Sequence, residues 1–346
     1  MNHYSQILLF LSALCLSSLG CAVSEPAKTN PERKTALEQL SVTEPDKTDT
    51  LPAKLLVKPV GIIGKTSGSG AYPAHAVADD GMRMNTLYVP ANYPDEKLPL
   101  LIWGNGGCWD NGLAYSMFLR EVASHGFFIV SSGYPRFERD VVKQGEIRSN
   151  NDQALVSSLP NTTVAKMLSA IDWAEGQNSD PQSPYFNKIN TQTIGVMGTS
   201  CGGLQSITAL TDPRISTGIG FNTGILLEPP PPHFAHNKNL HGDKSLLQKL
   251  QGPIAYINGG PQDIAYKNAI DDFQRIEHVP VFFGENGVGH GGTYLFDENG
   301  GEYAQVAAHW FAWQLKGDTD AAKWFVGVDC ELCTRDGWTV KKKSIE

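Results

Sequence analysis

The chain has 346 residues, 41% hydrophobic and 18% charged, which is enough apolar material to bury a large core. Its net charge of −8 argues against nucleic acid as the main partner and says nothing about fold. No internal repeat breaks the sequence, so the readings below follow chain order.

Residues 7–19, "ILLFLSALCLSSL", are apolar but too short for a membrane span. They end in small residues and read as an export signal covering residues 1–20. "SSLGC" resembles a bacterial lipoprotein processing site, in which Cys21 becomes the lipidated first residue. That would anchor the chain to a membrane without spanning it, and free secretion is the alternative. Residues 21–54 are polar and rich in Pro, Thr, Glu and Lys, the composition of a disordered linker. One domain is expected from residue 55 to 346.

Short apolar runs then alternate with helical patterns. Strands are expected over 85–93, 98–104, 127–134, 192–198, 215–224, 252–260 and 279–287. Helices are expected over 113–126 and 163–177, after residue 202, and over 269–276 and 304–318. The alternation predicts an α/β fold with a mostly parallel sheet covered on both faces, binding its ligand at the carboxyl ends of the strands. Pro229–Pro232 cannot enter a sheet or a helix interior, so the segment through His233, His236 and His241 is expected to be a loop.

"GTSCG", residues 198–202, fits G-x-S-x-G. A serine on a strained strand-to-helix turn stands free of the backbone. Flanking glycines let the strand and helix crowd together, and the helix presents its N–H groups beside the serine. A nucleophilic Ser200 needs a base and an orienting carboxylate. His290, in "GVGHGGTY", and Asp263, in "NGGPQDIAY", both follow expected strands. Asp263 could instead cap a helix, leaving Asp271 or Glu285 as the orienting group. An oxyanion needs two donors. Cys201 N–H is one; Gly107 N–H or Cys108 N–H, in "WGNGGCW", is the other, with Gly107 favoured. Cys108 and Trp109 would then border the substrate. With Cys108 and Cys201 at one site, their α-carbons could fall within disulfide range, about 4.4–6.8 Å. "CELC", residues 330–333, lacks a second pair of zinc ligands and is read as a local disulfide.

Taken together, residues 80–315 resemble the α/β-hydrolase superfamily, and within it the cutinase-like polyester hydrolase and lipase branch. The resemblance rests on "AIDWAEGQNSDPQSPYFNKINTQTIGVMGTSCGG", on "GPIAYINGGPQDIAYKNA" and on "GVGHGGTY". It implies Ser200, Asp263 and His290 as the triad. At the oxyanion turn "LIWGNGGC", Asn105 stands in place of that branch's histidine and Gly107 in place of its aromatic, which weighs against a polyester substrate. The expected activity is therefore hydrolysis of short-chain or small aromatic carboxylic esters through an acyl-enzyme, without metal or organic cofactor. A cutin-like polyester hydrolase, an acyltransferase and a non-catalytic cell-surface binding module are the alternatives. Neither the oligomeric state nor the natural ester is legible.

Overall fold

The computed structural model describes residues 56–138, 159–230, 237–295 and 297–345. The proposed signal, Cys21 and the linker lie outside the described residues. Among those described, no helix is long and apolar enough to cross a membrane.

Continuous apolar runs form strands buried on both faces. These are β4 (Leu98–Gly104), β5 (Phe128–Ser132), β7 (Thr217–Phe221), β8 (Ile254–Asn258), β9 (Val281–Glu285) and the carboxyl half of β6 (Ile189–Thr199). β1 (Gly61–Ser67), β2 (Ala74–Ala78), β3 (Asn85–Pro90) and β10 (Thr339–Lys343) complete a ten-stranded sheet. Its order is β1-β2-β3-β5-β4-β6-β7-β8-β9-β10. From β5 to β9 every pairing is parallel; β1, β2, β3 and β10 pair antiparallel at the two flanks. The parallel centre agrees with the sequence expectation. The strands β1, β2 and β10 were not anticipated. "GIIGKTS" is mostly exposed and "TVKKK" is mostly polar and exposed or half-buried, so their strand character comes from pairing with a neighbour and not from an apolar period.

Alternation along the central strands divides the interior into two cores. Leu101 and Trp103 of β4 pack with α1 (Ser116–Ser124) and α5 (Gly301–Lys316) on one face. Leu100 and Ile102 pack with α2 (Val164–Ser179), α3 (Cys201–Ala209) and α4 (Tyr266–Arg275) on the other. Each helix begins or ends for a local reason. The Thr163 hydroxyl accepts the Lys166 N–H at the start of α2, and Gly317, at φ 69°, closes α5 in the left-handed conformation. The described part of the proline segment, Pro229 and Pro230, is neither helix nor strand, as expected; residues 231–236, with His233 and His236, are outside the described residues. The chain then runs back against α3. Asn239 Nδ2 donates to the Thr162 carbonyl at 3.0 Å, and Thr208 Oγ1 lies 3.3 Å from His241 Nε2.

Asp272, on α4, is buried beneath the chain that leaves β7. It accepts the Ile225 N–H at 2.7 Å and a bond from Lys244 Nζ at 2.6 Å. Burial outweighs Lys244 and pushes its carboxyl up to about 6. A carboxyl raised above its unfolded value holds its proton more tightly in the folded state. The stability it contributes is full below about pH 4 and is lost as pH climbs through about 6. Denaturant titrations should therefore show stability falling between pH 4 and 6 by on the order of 2–3 kcal/mol from this group. Asp272→Asn should flatten that slope; an unchanged slope would assign it elsewhere.

Candidate active site

Ser200 is the residue between β6 and α3. Its φ of 54° and ψ of −120° put a non-glycine residue in a strained conformation at a strand-to-helix turn. The turn is held from behind by Ser200 N–H donating to Phe221 O at 2.9 Å and by Thr223 Oγ1 donating to Ser200 O at 2.8 Å. The two glycines of the pentapeptide have a concrete cause. A Cβ on Gly202 would sit 2.1 Å from the Gly104 carbonyl carbon, and one on Gly198 would sit 2.4 Å from Gly202 O. Helix α3 thus lies against the backbone of β4 with no room for a side chain.

His290 arrives from the loop after β9. Its Nε2 is 3.0 Å from Ser200 Oγ, and its Nδ1 is 2.6 Å from Asp263 Oδ1. Asp263 comes from the loop after β8. These loops meet because neither has bulk at the contact: Gly289 N–H donates to Gly259 O at 2.7 Å, and a Cβ on Gly259 would lie 1.9 Å from Gly289 O. The Asp263 carboxylate is fully buried, while the His290 ring is about a third exposed, at 31%. Burial, the strongest influence on Asp263, pushes its carboxyl up. The bonds from His290, Ala265 N–H and Asn222 outweigh burial and hold it below the usual carboxylate range.

The structure brings Ser200, His290 and Asp263 together and leaves the sequence's alternatives apart. Asp271 pairs with Arg275 at 2.7 Å and Lys244 at 2.9 Å. Glu285 ends β9, beside Asn258 in the strand register. The capping alternative for Asp263 also has a basis, since its Oδ1 accepts Ala265 N–H at 2.9 Å in addition to facing His290. His125 contacts Glu121 at 3.1 Å, and the His309 ring stacks on Trp324 at 3.9 Å.

The segment expected to supply the second oxyanion donor is the 3-10 turn Gly106–Cys108 after β4, with Gly107 at φ 66° and Cys108 at φ 52°. Cys108 N–H donates to Asn105 O at 2.9 Å within this turn. Of the two amides left open by the sequence, Gly107 is therefore the one suited to an incoming oxygen. Cys201 is the first residue of α3, where an N–H has no partner within the helix. Cys108 and Cys201 form a disulfide with α-carbons 5.2 Å apart, and Cys330 and Cys333 form another at 4.8 Å. The Trp109 indole occupies the space that a side chain on residue 107 would fill: a Cβ there would be 2.3 Å from Trp109 Nε1.

Two supports escaped the sequence reading. Asn105, noted there only as a replacement for histidine, is fully buried and braces the turn. Its Oδ1 accepts from Trp103 Nε1 at 2.8 Å, and its Nδ2 donates to the carbonyls of Trp109 at 3.0 Å and Asn111 at 3.1 Å. Asn222, just past β7, donates through Nδ2 to Asp263 Oδ2 at 2.7 Å and to Gly289 O at 3.1 Å, and accepts from the buried Tyr294 hydroxyl. Its φ of 45° at a strand end, where asparagine is the residue most tolerant of that region after glycine, leaves a faint trace in the sequence: "GFNTG".

Among the described residues, no group of three His, Cys, Asp or Glu side chains is placed to hold a metal ion. No protein-family model matches the chain, and no curated protein matches it.

Proposed function

We propose that this protein is a serine carboxylic-ester hydrolase on an α/β-hydrolase scaffold. The observation that carries this reading is the unbroken relay from Ser200 Oγ to His290 Nε2, at 3.0 Å, and from His290 Nδ1 to Asp263 Oδ1, at 2.6 Å. A hydroxyl, an imidazole and a buried carboxylate in that order supply the nucleophile, its base and the group that orients the base.

In this reading the Ser200 oxygen bonds to the ester carbonyl carbon while His290 Nε2 takes the hydroxyl proton. Charge moves to the carbonyl oxygen, for which the N–H groups of Gly107 and Cys201 are the proposed donors. The bond to the leaving alkoxide breaks as His290 returns the proton to it, releasing the alcohol. Water then repeats the sequence on the acyl-enzyme and frees the acid. Asp263 keeps the Nδ1–H tautomer and stabilises the imidazolium. Short-chain or small aromatic esters are the proposed substrates, since Asn105 and Gly107 stand where the polyester-hydrolase branch carries its histidine and aromatic. The N-terminal segment adds the proposal of an exported protein, lipidated at Cys21 or freely secreted; the intact mass of the mature N-terminus tests it.

A fluorophosphonate probe should label the purified protein at one residue, and Ser200→Ala should abolish that label together with hydrolysis of chromogenic short-chain esters. A folded wild-type protein that takes no label would point to a non-catalytic binding module. Transfer to added alcohol outrunning hydrolysis would point to an acyltransferase.

A further inference from the structure

We propose that the Cys108–Cys201 disulfide is a positioning element for the oxyanion hole. It sets the separation between the two donor amides and not merely the stability of the fold. The inference rests on the hydrolase reading above.

The bond joins the residue after Gly107 to the residue after Ser200, so it spans the two segments whose N–H groups must converge on one oxygen. Its α-carbons are 5.2 Å apart across 93 residues of chain. Both cysteines are buried, at 0% and 4% exposure, so the bond lies beneath the two donor segments and the Cys108 side chain does not border the substrate as the sequence suggested.

The backbone it connects is held in conformations that relax unless restrained. Gly107, Cys108 and Ser200 all have positive φ, at 66°, 52° and 54°. Hydrogen bonds hold each segment, and one relay crosses between them: Thr162, bonded to the Cys108 carbonyl, also receives Gln205 Nε2 of α3 on its own carbonyl at 2.8 Å. The Cys108 carbonyl accepts from Thr162 N–H at 2.7 Å and from Thr162 Oγ1 at 3.2 Å, and Asn105 braces the turn from β4. The nucleophile turn is tied to β7 through Phe221 and Thr223. Gly202 against Gly104 fixes how closely α3 lies on β4. The disulfide is the covalent link between the two donor segments, joining directly the residues that follow Gly107 and Ser200, and Asn237 Nδ2 covers its Cys201 sulfur at 3.4 Å. Catalytic donors displaced by a fraction of an ångström lose much of their value, because they act on charge that exists only in the transition state.

Cys330–Cys333 supplies an internal control. It closes a separation of 3 residues in the C-terminal segment, and the Cys333 sulfur contacts Gly327 O at 3.8 Å. No residue of the triad or of the oxyanion turn takes part.

The test compares C108A/C201A with C330A/C333A and wild type, at a temperature where circular dichroism shows each folded. Cys108→Val with Cys201→Ala, which refills the lost volume, serves if the alanine pair does not fold. Each protein is assayed for kcat and KM on a chromogenic ester, and for inhibition by a trifluoromethyl ketone and by the product acid. Loss of the first bond should lower kcat about 10- to 100-fold with KM within about threefold. Trifluoromethyl ketone affinity should fall in parallel and product-acid affinity should hold, while the second pair behaves as wild type. A folded first-pair variant with kcat within about twofold of wild type overturns the proposal. So does an equal loss of affinity for both inhibitors, which marks general disorder of the pocket. Wild type that neither hydrolyses esters nor takes the fluorophosphonate label overturns the hydrolase reading itself, and this proposal with it.

Discussion

Replacing Asp263 by asparagine should cut kcat by about 10⁴-fold, with little change in KM. The imidazole is useful only with its proton on Nδ1 and its lone pair on Nε2 toward Ser200. Asp263 Oδ1, 2.6 Å from Nδ1, enforces that tautomer, and its charge stabilises the imidazolium that forms. An asparagine amide turned toward Nδ1 would reverse the preference. The alternative rotamer is no escape. It would aim the NH₂ group at donors that already point inward, namely Gly259 N–H at 3.1 Å and Asn222 Nδ2 at 2.7 Å. The same crowding should destabilise the fold by about 1–3 kcal/mol. Steady-state kinetics beside thermal unfolding separate the two effects. A loss of activity below about tenfold would mean that another group orients His290.

Gly202→Val should lower stability by about 3 kcal/mol or more and the midpoint of thermal unfolding by roughly 10 °C. The cause is backbone meeting backbone. The added Cβ would fall 2.1 Å from Gly104 C and 2.2 Å from Gly104 O, and neither can swing aside as a side chain would. To admit it, α3 must lift from β4, which moves Cys201 N–H away from Gly107 N–H. Activity per folded molecule should therefore fall as well. Gly176, on α2, has open space around its Cβ direction, so Gly176→Ala should be neutral or slightly stabilising and calibrates the measurement. A Gly202→Val protein that melts with wild type would show that the elbow does not rest on this contact.

Much of this site can be read from the sequence where the backbone itself imposes the residue type. Gly198, Gly202 and Gly259 are required by contacts of main chain with main chain, so the spacing survives in the letters. Ser200, Asp263 and His290 each follow a short apolar run bounded by glycines, which reads as a buried strand. The supports are a different matter. Asn222 reaches Asp263 across 41 residues and Tyr294 reaches Asn222 across 72. Nothing local in the chain records either meeting. The choice between Gly107 and Cys108 as donor depended on one turn hydrogen bond, which only coordinates supply. Strands β1 and β10 were missed because an outermost strand is stabilised by the ladder on one side and need show no apolar alternation; β2, buried between β1 and β3, was missed because a run as short as "AHAVA" has no period that marks a strand. The parallel centre, walled by helices on both faces, must instead show continuous apolar runs.

The last strand, "TVKKK", has a consequence for behaviour in solution. β10 is the outer strand on its side of the sheet, with β9 alone as neighbour. Lys342 and Lys343 fold back to hold carbonyls of Gly327, Phe325, Gln274 and Ile276, and Lys341 stands in solvent. A foreign strand docking there would meet a fixed row of ammonium groups, each of which would have to give up water or a carbonyl. This border is therefore a poor template for fibril growth, so any edge-to-edge association of the sheet would have to begin at the opposite rim, where β1 exposes Ile62.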